Sequence, residues 1–473
     1  MFKMRLLIFL FLALSISVSS LASITIQCEN PKYAGQKLTF YSYSDPVSLA
    51  TKIVFTLEPD KSGKCSKTIE NQTNDFVFCD FGIYRGMLFI EPNQTIKLQL
   101  PPVREKSFAD QKNPYFEPVA FWFATEDSKQ LNNQVSKFNA RLNQLSDKYF
   151  DQLYFRQQSS YFDSLKYFID KDFGGIKSEA FLFHKEFSMK LIEADAFRLK
   201  PEDYTTVFST VKQQYFLYPA FTALFEKTFT GLLSFEAKSV KGSEIKKAVN
   251  QGNTAYLSDF IKSKYKIQGE MADLALLKML HDAWYSGDFS KISVEQMVNS
   301  ARFKSNQNTF IRETAKNITE KITHLQKGTT APTICLNNLE GVKTCTNKNN
   351  KKFKYLVFAD TEMAVCREHL KYLPAIQQKF EKYLEIYIVL KKTDITEMKK
   401  FLAENKVPGV KLIDEDNGFI ELYKIRSFPQ CFLLDENHNV EFESVKAPLD
   451  GFEQQFGPFL QKVLFERQRN HGK

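Results

Sequence analysis

Residues 353–370 read FKYLVFADTEMAVCREHL, and this stretch decides the fold of the C-terminal third of the chain. Its first seven residues are an unbroken run of strand-forming, mostly apolar side chains, and residues 366–383 then space their apolar side chains along one face of a helix. A second apolar run follows at 384–390. The order strand, helix, strand predicts two parallel strands joined by a helical crossover, the repeating unit of α/β proteins.

The flanks of this stretch extend the same α/β region in both directions. Residues 326–332 read as a linker with two short strands after it. On the other side, a helix is predicted at 395–404, and two strands are predicted at 431–435 and 439–443, joined by a turn. A closing helix is predicted at 451–465.

The rest of the chain divides into a strand-rich and a helix-rich region. Short runs of strand-forming residues separated by turn residues predict a β-sandwich-like domain at 23–110. Apolar residues that recur every three or four positions predict an α-helical domain at 111–327. The fold class is therefore multidomain, with an α/β domain at 328–473.

The first 22 residues have the pattern of a secretory signal peptide. Lys3 and Arg5 precede an apolar run at 6–18, and Ser20-Leu21-Ala22 supplies small residues before a cleavage point. The alternative is an uncleaved anchor helix, for which the apolar run is short. We expect export to the periplasm, with the outer surface as the alternative, and no membrane contact after cleavage.

Composition excludes several functional classes. The 473 residues are 43% hydrophobic and 25% charged with a net charge of +9, which is typical of a globular protein with a mild basic excess. The basic residues form no recognisable nucleic-acid module, so we expect no nucleic-acid partner. No metal-ligand spacing, phosphate loop or Ser-His-Asp arrangement is present, and we expect neither a metal nor a cofactor.

The seven cysteines are sparse, and export permits disulfides. Cys335 and Cys345 lie on either side of an Asn-Asn-Leu-Glu-Gly turn, and a structural disulfide across this hairpin is the pairing that we favour. Cys65 and Cys79 lie on neighbouring predicted strands, which makes them a second candidate pair.

Several short motifs follow one another in the C-terminal region. They are Ala331-Pro332, Phe353–Ala359, Cys366-Arg367-Glu368, Leu373-Pro374 and 427–435. Through these motifs, residues 328–473 resemble the TlpA/ResA branch of thioredoxin-like proteins. The resemblance implies a thioredoxin-like fold with a cis-proline loop at Phe428-Pro429. The order of all three regions resembles that of exported proteins from Bacteroidetes-type bacteria.

The chain departs from this family at the redox centre. The resemblance implies Cys-x-x-Cys at the start of the first helix, where this chain has Met363-Ala364-Val365-Cys366 with Glu362 in front. A thioether cannot ionise to the thiolate that attacks a disulfide. Cys366 takes the place of the buried resolving cysteine, and we expect burial, with Glu362 nearby, to raise its pKa.

Three other residues near this loop have two interpretations each. Cys431 follows the cis-proline loop and could pair with Cys366 as a relocated redox pair, or both could be buried core thiols. Asp360 could be the remnant of a proton-transferring acid or, as we prefer, a helix N-cap. Pro429 could help a groove to bind an extended peptide, although we favour a purely structural role.

Three hypotheses about function follow. The first is a non-catalytic binding or scaffold protein of the periplasm, whose partner is an exported protein or peptide. The second is a thiol-disulfide oxidoreductase that uses Cys366, with or without Cys431. In the third, the N-terminal domains bind a partner or a glycan at the cell surface, and the thioredoxin-like domain is only a packing module.

Overall fold

The computed structural model describes residues 22–70, 73–348 and 351–471. The predicted signal peptide, apart from Ala22, lies outside the described residues. The chain forms two compact units. The first contains the described residues up to Glu105 together with Pro118–Thr319, and the second contains Lys106–Glu117 together with the described residues from Glu320 onward. No helix of the described part of the chain is long and apolar enough to cross a membrane.

Two β-sheets lie at the start of the first unit. Their strands are β1 (Ser23–Glu29), β2 (Leu38–Tyr43), β3 (Thr51–Leu57), β4 (Lys64–Glu70), β5 (Asp75–Phe81), β6 (Tyr84–Ile90), β7 (Thr95–Gln99), β8 (Val119–Trp122) and β9 (Ala124–Thr125). One sheet has the strand order β4-β1-β7-β9, and the other has the order β3-β2-β5-β6-β8.

The two sheets share one apolar core. Alternate residues of β1, including Ile24 and Ile26, are buried, as a strand with one covered face requires. They belong to the same cluster of buried side chains as Phe40 and Val77 of the other sheet. This confirms the predicted sandwich-like arrangement of the sheet-rich region.

The disulfide in this region differs from the predicted candidate. Strand β4 pairs antiparallel with β1 and places Cys65 opposite Cys28, and the structure joins these two residues in a disulfide. Cys79 lies on β5 in the other sheet and is a buried free thiol. The candidate pair Cys65–Cys79 is therefore wrong, because Cys65 is bonded to Cys28 and Cys79 is a free thiol.

Helices make up the rest of the first unit and confirm the predicted helical middle. The buried face of the first long helix contains Val135, Phe138 and Leu142, which follow the predicted spacing. The first helix in the chain, α1 (Phe108–Lys112), belongs to the second unit. The helices that follow it are α2 (Leu131–Lys148), α3 (Ser159–Phe173), α4 (Glu179–Ala196), α5 (Pro201–Tyr204), α6 (Pro219–Phe229), α7 (Leu232–Glu236), α8 (Gly242–Asn250), α9 (Thr254–Tyr265), α10 (Gly269–Ser286), α11 (Lys291–Val298), α12 (Ala301–Lys304) and α13 (Thr309–Thr323).

The second unit is a four-stranded sheet with helices, preceded by a hairpin. Its elements are β10 (Cys335–Asn337), β11 (Lys343–Cys345), β12 (Phe353–Ala359), α14 (Ala364–Phe380), β13 (Leu384–Lys391), α15 (Ile395–Glu404), β14 (Val410–Asp414), α16 (Gly418–Leu422), β15 (Gln430–Leu434) and α17 (Phe452–His471). The strand order is β14-β13-β12-β15, with β15 antiparallel to its neighbour and the other pairs parallel. This is the predicted thioredoxin-like α/β arrangement.

Strand β12 lies at the centre of this sheet and is buried on both faces. Tyr355 and Val357 contribute to one apolar cluster, and Leu356 and Phe358 contribute to the other. A strand covered on both sides needs an unbroken apolar run, which is the pattern that the sequence shows. The sheet therefore holds the loop that follows β12 at a fixed position.

Two details of the predicted strand order are wrong. Residues 439–443 form no strand, because the chain after β15 pairs only through single bridges such as Leu434 with Val440. The edge strand β14 was not predicted, and it completes the sheet by pairing parallel to β13. Across the β10–β11 hairpin, the structure contains the disulfide Cys335–Cys345, the pairing that the sequence analysis favours.

Candidate functional site

The loop between β12 and α14 holds the residues singled out from the sequence. Met363 is the N-cap residue of α14 and gives the helix no side-chain cap. The main chain closes a tight turn, in which the Met363 amide donates to the Asp360 carbonyl at 3.1 Å and the Glu362 amide donates to Asp360 Oδ1 at 3.0 Å. The interpretation of Asp360 as the N-cap is therefore wrong, because its carboxylate binds within the preceding loop.

Cys366 lies in the first turn of α14 and is fully buried. Burial is the main cause that raises the pKa of its thiol to about 11. The carboxylate of Asp360 raises this pKa further, while a backbone hydrogen bond and the charge of Lys112 oppose the shift. The predicted effect of burial on this pKa is thus present, whereas Glu362, which was expected to raise the pKa further, pairs with Lys112.

Cys431 is the second thiol near this loop, and it is also buried and free. Burial raises its pKa to about 12. Both thiols belong to the same apolar cluster, and the structure does not join them. The relocated pair Cys366–Cys431 is therefore absent as a disulfide here, and the two side chains fill the core as small apolar groups.

The cis-proline loop lies directly before β15. The Phe428–Pro429 peptide bond is cis, and both residues are partly buried. The Phe428 ring packs against the apolar clusters on both faces of the sheet. The Lys391 ammonium lies 6.0 Å from the centre of this ring.

Lys112 is the site residue that the sequence analysis missed. It lies 248 residues before Asp360, yet its Nζ donates to Asp360 Oδ2 at 2.6 Å and to Glu362 Oε2 at 2.5 Å. The Asp360 side chain is 0% exposed and that of Lys112 is 12% exposed. Lys391 contributes a longer ion pair to Asp360 at 3.9 Å.

The electrostatics of this cluster favour the charged lysine. Burial opposes the charge on Lys112, but hydrogen bonds and charges from Asp360 and Glu362 outweigh it, so the pKa of Lys112 is raised. One sign of this arrangement was visible locally, because Glu362 places a carboxylate directly before Met363 at the start of the helix. Nothing in the local pattern around Lys112 pointed to the loop.

The chemistry open to this cluster is set by two carboxylates, two ammonium groups and buried thiols. Among the described residues, no group of three or more His, Cys, Asp or Glu side chains has the arrangement of a metal site. Arg367 donates to the carbonyl of Thr361 and so fixes the loop from the helix side. The cluster binds the Lys112 ammonium group, and the two thiols nearby, Cys366 and Cys431, are buried.

A protein-family model matches part of the C-terminal region. Residues 327–443 match the model of the AhpC/TSA family. Together with the observed strand order, this match confirms the thioredoxin-fold resemblance for the C-terminal region. No curated protein matches the chain.

Several solved structures resemble the same part of the chain. A thioredoxin domain of a thiol-disulfide oxidoreductase from Bacteroides vulgatus is 22% identical, with 28% of this chain and 98% of that chain covered and a TM-score of 0.27. A thiol:disulfide interchange protein from Bacteroides sp. is 23% identical, with 28% and 91% covered and a TM-score of 0.26. A thiol:disulfide interchange protein from Chlorobium tepidum is 14% identical, with 27% and 93% covered and a TM-score of 0.24.

Proposed function

Starting from a C-terminal region with the thioredoxin-like fold, we propose that this protein is an exported, non-catalytic binding or scaffold protein of the periplasm. One observation carries the proposal. Met363 occupies the N-cap of α14, where the resemblance implies the attacking cysteine, and the thiol in the first turn of this helix, Cys366, is 0% exposed.

Disulfide exchange needs a thiolate that can reach the sulfur of its substrate. A thiol with a pKa of about 11 is ionised in about one molecule in 10,000 at pH 7. Burial also keeps this small thiolate fraction away from a protein substrate. Both factors act against catalysis by Cys366, and no second sulfur is bonded to it.

Export is supported by the leader pattern at residues 1–22 and by the cysteine pairs. The structure contains two disulfides, Cys28–Cys65 and Cys335–Cys345. Disulfides form and persist in oxidising compartments such as the periplasm. The proposed partner is another exported protein or peptide, and the proposal needs no cofactor.

A reductase assay on the purified mature protein tests the proposal. We expect the wild-type protein to reduce the disulfides of insulin, with dithiothreitol as electron donor, no faster than dithiothreitol alone. Met363→Cys recreates a Cys-x-x-Cys pair at the helix start, and we expect it to raise the rate at least tenfold. Met363→Ser is the matched control and is expected to remain inactive, because it shortens the side chain without adding a thiol.

Two results would contradict the proposal. The first is turnover by the wild-type protein above the dithiothreitol background. The second is loss of that turnover in Cys366→Ser, which would assign the activity to the buried thiol and favour the oxidoreductase hypothesis.

A further inference from the structure

Segment 106–117 contacts the loop between β12 and α14 through the ion pairs of Lys112. We call this segment the strap. Lys112 donates to Asp360 at 2.6 Å and to Glu362 at 2.5 Å, and its ammonium lies 5.2 Å from the centre of the Phe108 ring. The site therefore surrounds one ammonium with two carboxylate oxygens and one aromatic face.

The remainder of the strap is weakly anchored. Phe108 is 60% exposed and Tyr115 is 86% exposed, so these two aromatic side chains bury little apolar surface, whereas Phe116 is partly buried. Among the described residues, its other polar contacts are internal. They include the Ser107 cap of α1, which accepts from the Asp110 amide, and the Lys106 ammonium over the Phe116 ring.

The buried carboxylate of Asp360 requires a cation next to it. A fully buried carboxylate without a partner is strongly unfavourable, because neither water nor apolar side chains replace its counterion. Lys391 lies at 3.9 Å, beyond hydrogen-bond distance. If Lys112 moves away and no cation replaces it, the Asp360 carboxylate is left without its close counterion. If another ammonium group takes the place of Lys112, the carboxylate stays paired.

We infer that the strap is a displaceable internal ligand, and that Asp360 and Glu362 form the receptor for a lysine side chain on an extended segment of an exported partner. This inference rests on the proposed binding function and names the class of partner. The exchange replaces one ammonium by another in the same two contacts. Lys112 therefore acts as an internal competitor, with the high effective concentration that a short tether provides.

A peptide-binding experiment on the full mature chain tests the receptor. The probe is a fluorescent synthetic peptide of residues 106–117 with blocked ends, measured by fluorescence anisotropy. Lys112→Gln removes the internal competitor, and we expect this variant to bind the peptide at least tenfold more tightly than the wild-type protein. A peptide that itself carries Lys112→Gln is expected not to bind.

The matched control is Lys106→Gln, which removes a lysine of the same strap that contacts an aromatic ring instead of a carboxylate. We expect its peptide affinity to equal that of the wild-type protein. Equal binding of the two peptides by the Lys112→Gln protein would overturn the inference. So would the absence of binding by a Lys112→Gln protein whose circular dichroism matches that of the wild type.

A second variant covers the case in which Lys112→Gln does not fold. Asp360→Asn combined with Lys112→Gln removes both charges and leaves no unpaired carboxylate in the interior. We expect chymotrypsin to cleave the strap of this double variant, at Phe108 or Tyr115, at least fivefold faster than the strap of the wild type or of Lys106→Gln. An unchanged rate would show that Lys112 does not hold the strap. The reductase assay is independent of these readouts, so either idea can fail without the other.

Discussion

The burial of Cys366 couples the protonation of one thiol to folding. In the unfolded chain, a cysteine releases its proton near its ordinary pKa of 9.0, whereas the folded protein keeps this proton until about pH 11. Between these values the unfolded state binds fewer protons than the folded state. The contribution of the protonated Cys366 thiol to the free energy of unfolding is therefore fully present below pH 9 and is lost as the pH rises through about 11.

We predict that the free energy of unfolding falls between pH 8 and pH 11 and that part of this fall belongs to Cys366. Two pKa units correspond to about 3 kcal/mol as an upper bound. The measurement is urea unfolding at four pH values for the wild type and for Cys366→Ala. The buried tyrosines titrate in both proteins, so the difference between the two slopes isolates the thiol. Parallel pH profiles would contradict the assignment.

Asp360 and Lys112 illustrate what a sequence reveals about a site. Asp360, Met363 and Cys366 were found because they are contiguous with a strand and a helix that have clear periodicity. Lys112 was missed because its contact spans 248 residues, and such a contact leaves no local pattern. The role of Asp360 was misjudged for the same reason, since an N-cap is a local interaction and a buried ion pair is not.

At the scale of elements, a regular pattern of buried side chains decides which strands can be predicted. Strand β12 shows an unbroken apolar run and was located correctly. Strand β4 has exposed or half-exposed side chains along its whole length, and its conformation depends on the antiparallel pairing with β1. Strand β14 is short and half-covered at its start, so its sequence could not be distinguished from a loop.

The two disulfides close chain loops of different length, and we predict different costs for their removal. Cys28 and Cys65 are 37 residues apart, and Cys335 and Cys345 are 10 apart. Loop-closure entropy then gives about 4 kcal/mol for the first bond and about 3 kcal/mol for the second.

Urea unfolding of Cys28→Ser with Cys65→Ser, and separately of Cys335→Ser with Cys345→Ser, measures these costs. We expect both double variants to be destabilised, and the first more than the second. Wild-type protein unfolded with reductant serves as the control for the side chains, because it lacks both bonds and keeps all seven cysteines. A larger loss from the short hairpin would show that chain entropy does not set the order.

At the scale of the whole molecule, the cysteines form two populations, and a thiol count distinguishes them. We predict that the native protein labels slowly with iodoacetamide, because the three free thiols, Cys79, Cys366 and Cys431, are buried. Unfolding without reductant should expose three thiols, and unfolding with reductant should expose all seven cysteines. Mapping by mass spectrometry would contradict the structure if Cys366 and Cys431 remained unlabelled until reduction.

The three-part organisation of the chain was predictable because each part has its own periodicity, with alternating strands, then helical spacing, then mixed apolar runs. The assignment of residues 106–117 to the second unit was not predictable, since this short polar segment has no periodicity that links it to residues 320–471. Its place in the fold depends on the Lys112 ion pairs, which are tertiary contacts.

The position of the strap in the chain has a consequence for the order of events during synthesis. At about 5–20 residues per second, the ribosome adds the 248 residues between Lys112 and Asp360 in about 10–50 s. Lys112 is thus synthesised well before Asp360, the carboxylate that it neutralises. The C-terminal sheet can therefore fold with the Lys112 ammonium already present. A fragment that starts at the family match, near residue 327, lacks that cation from the outset. Such a fragment would have to bury Asp360 with Lys391 alone, or keep its central loop open to water.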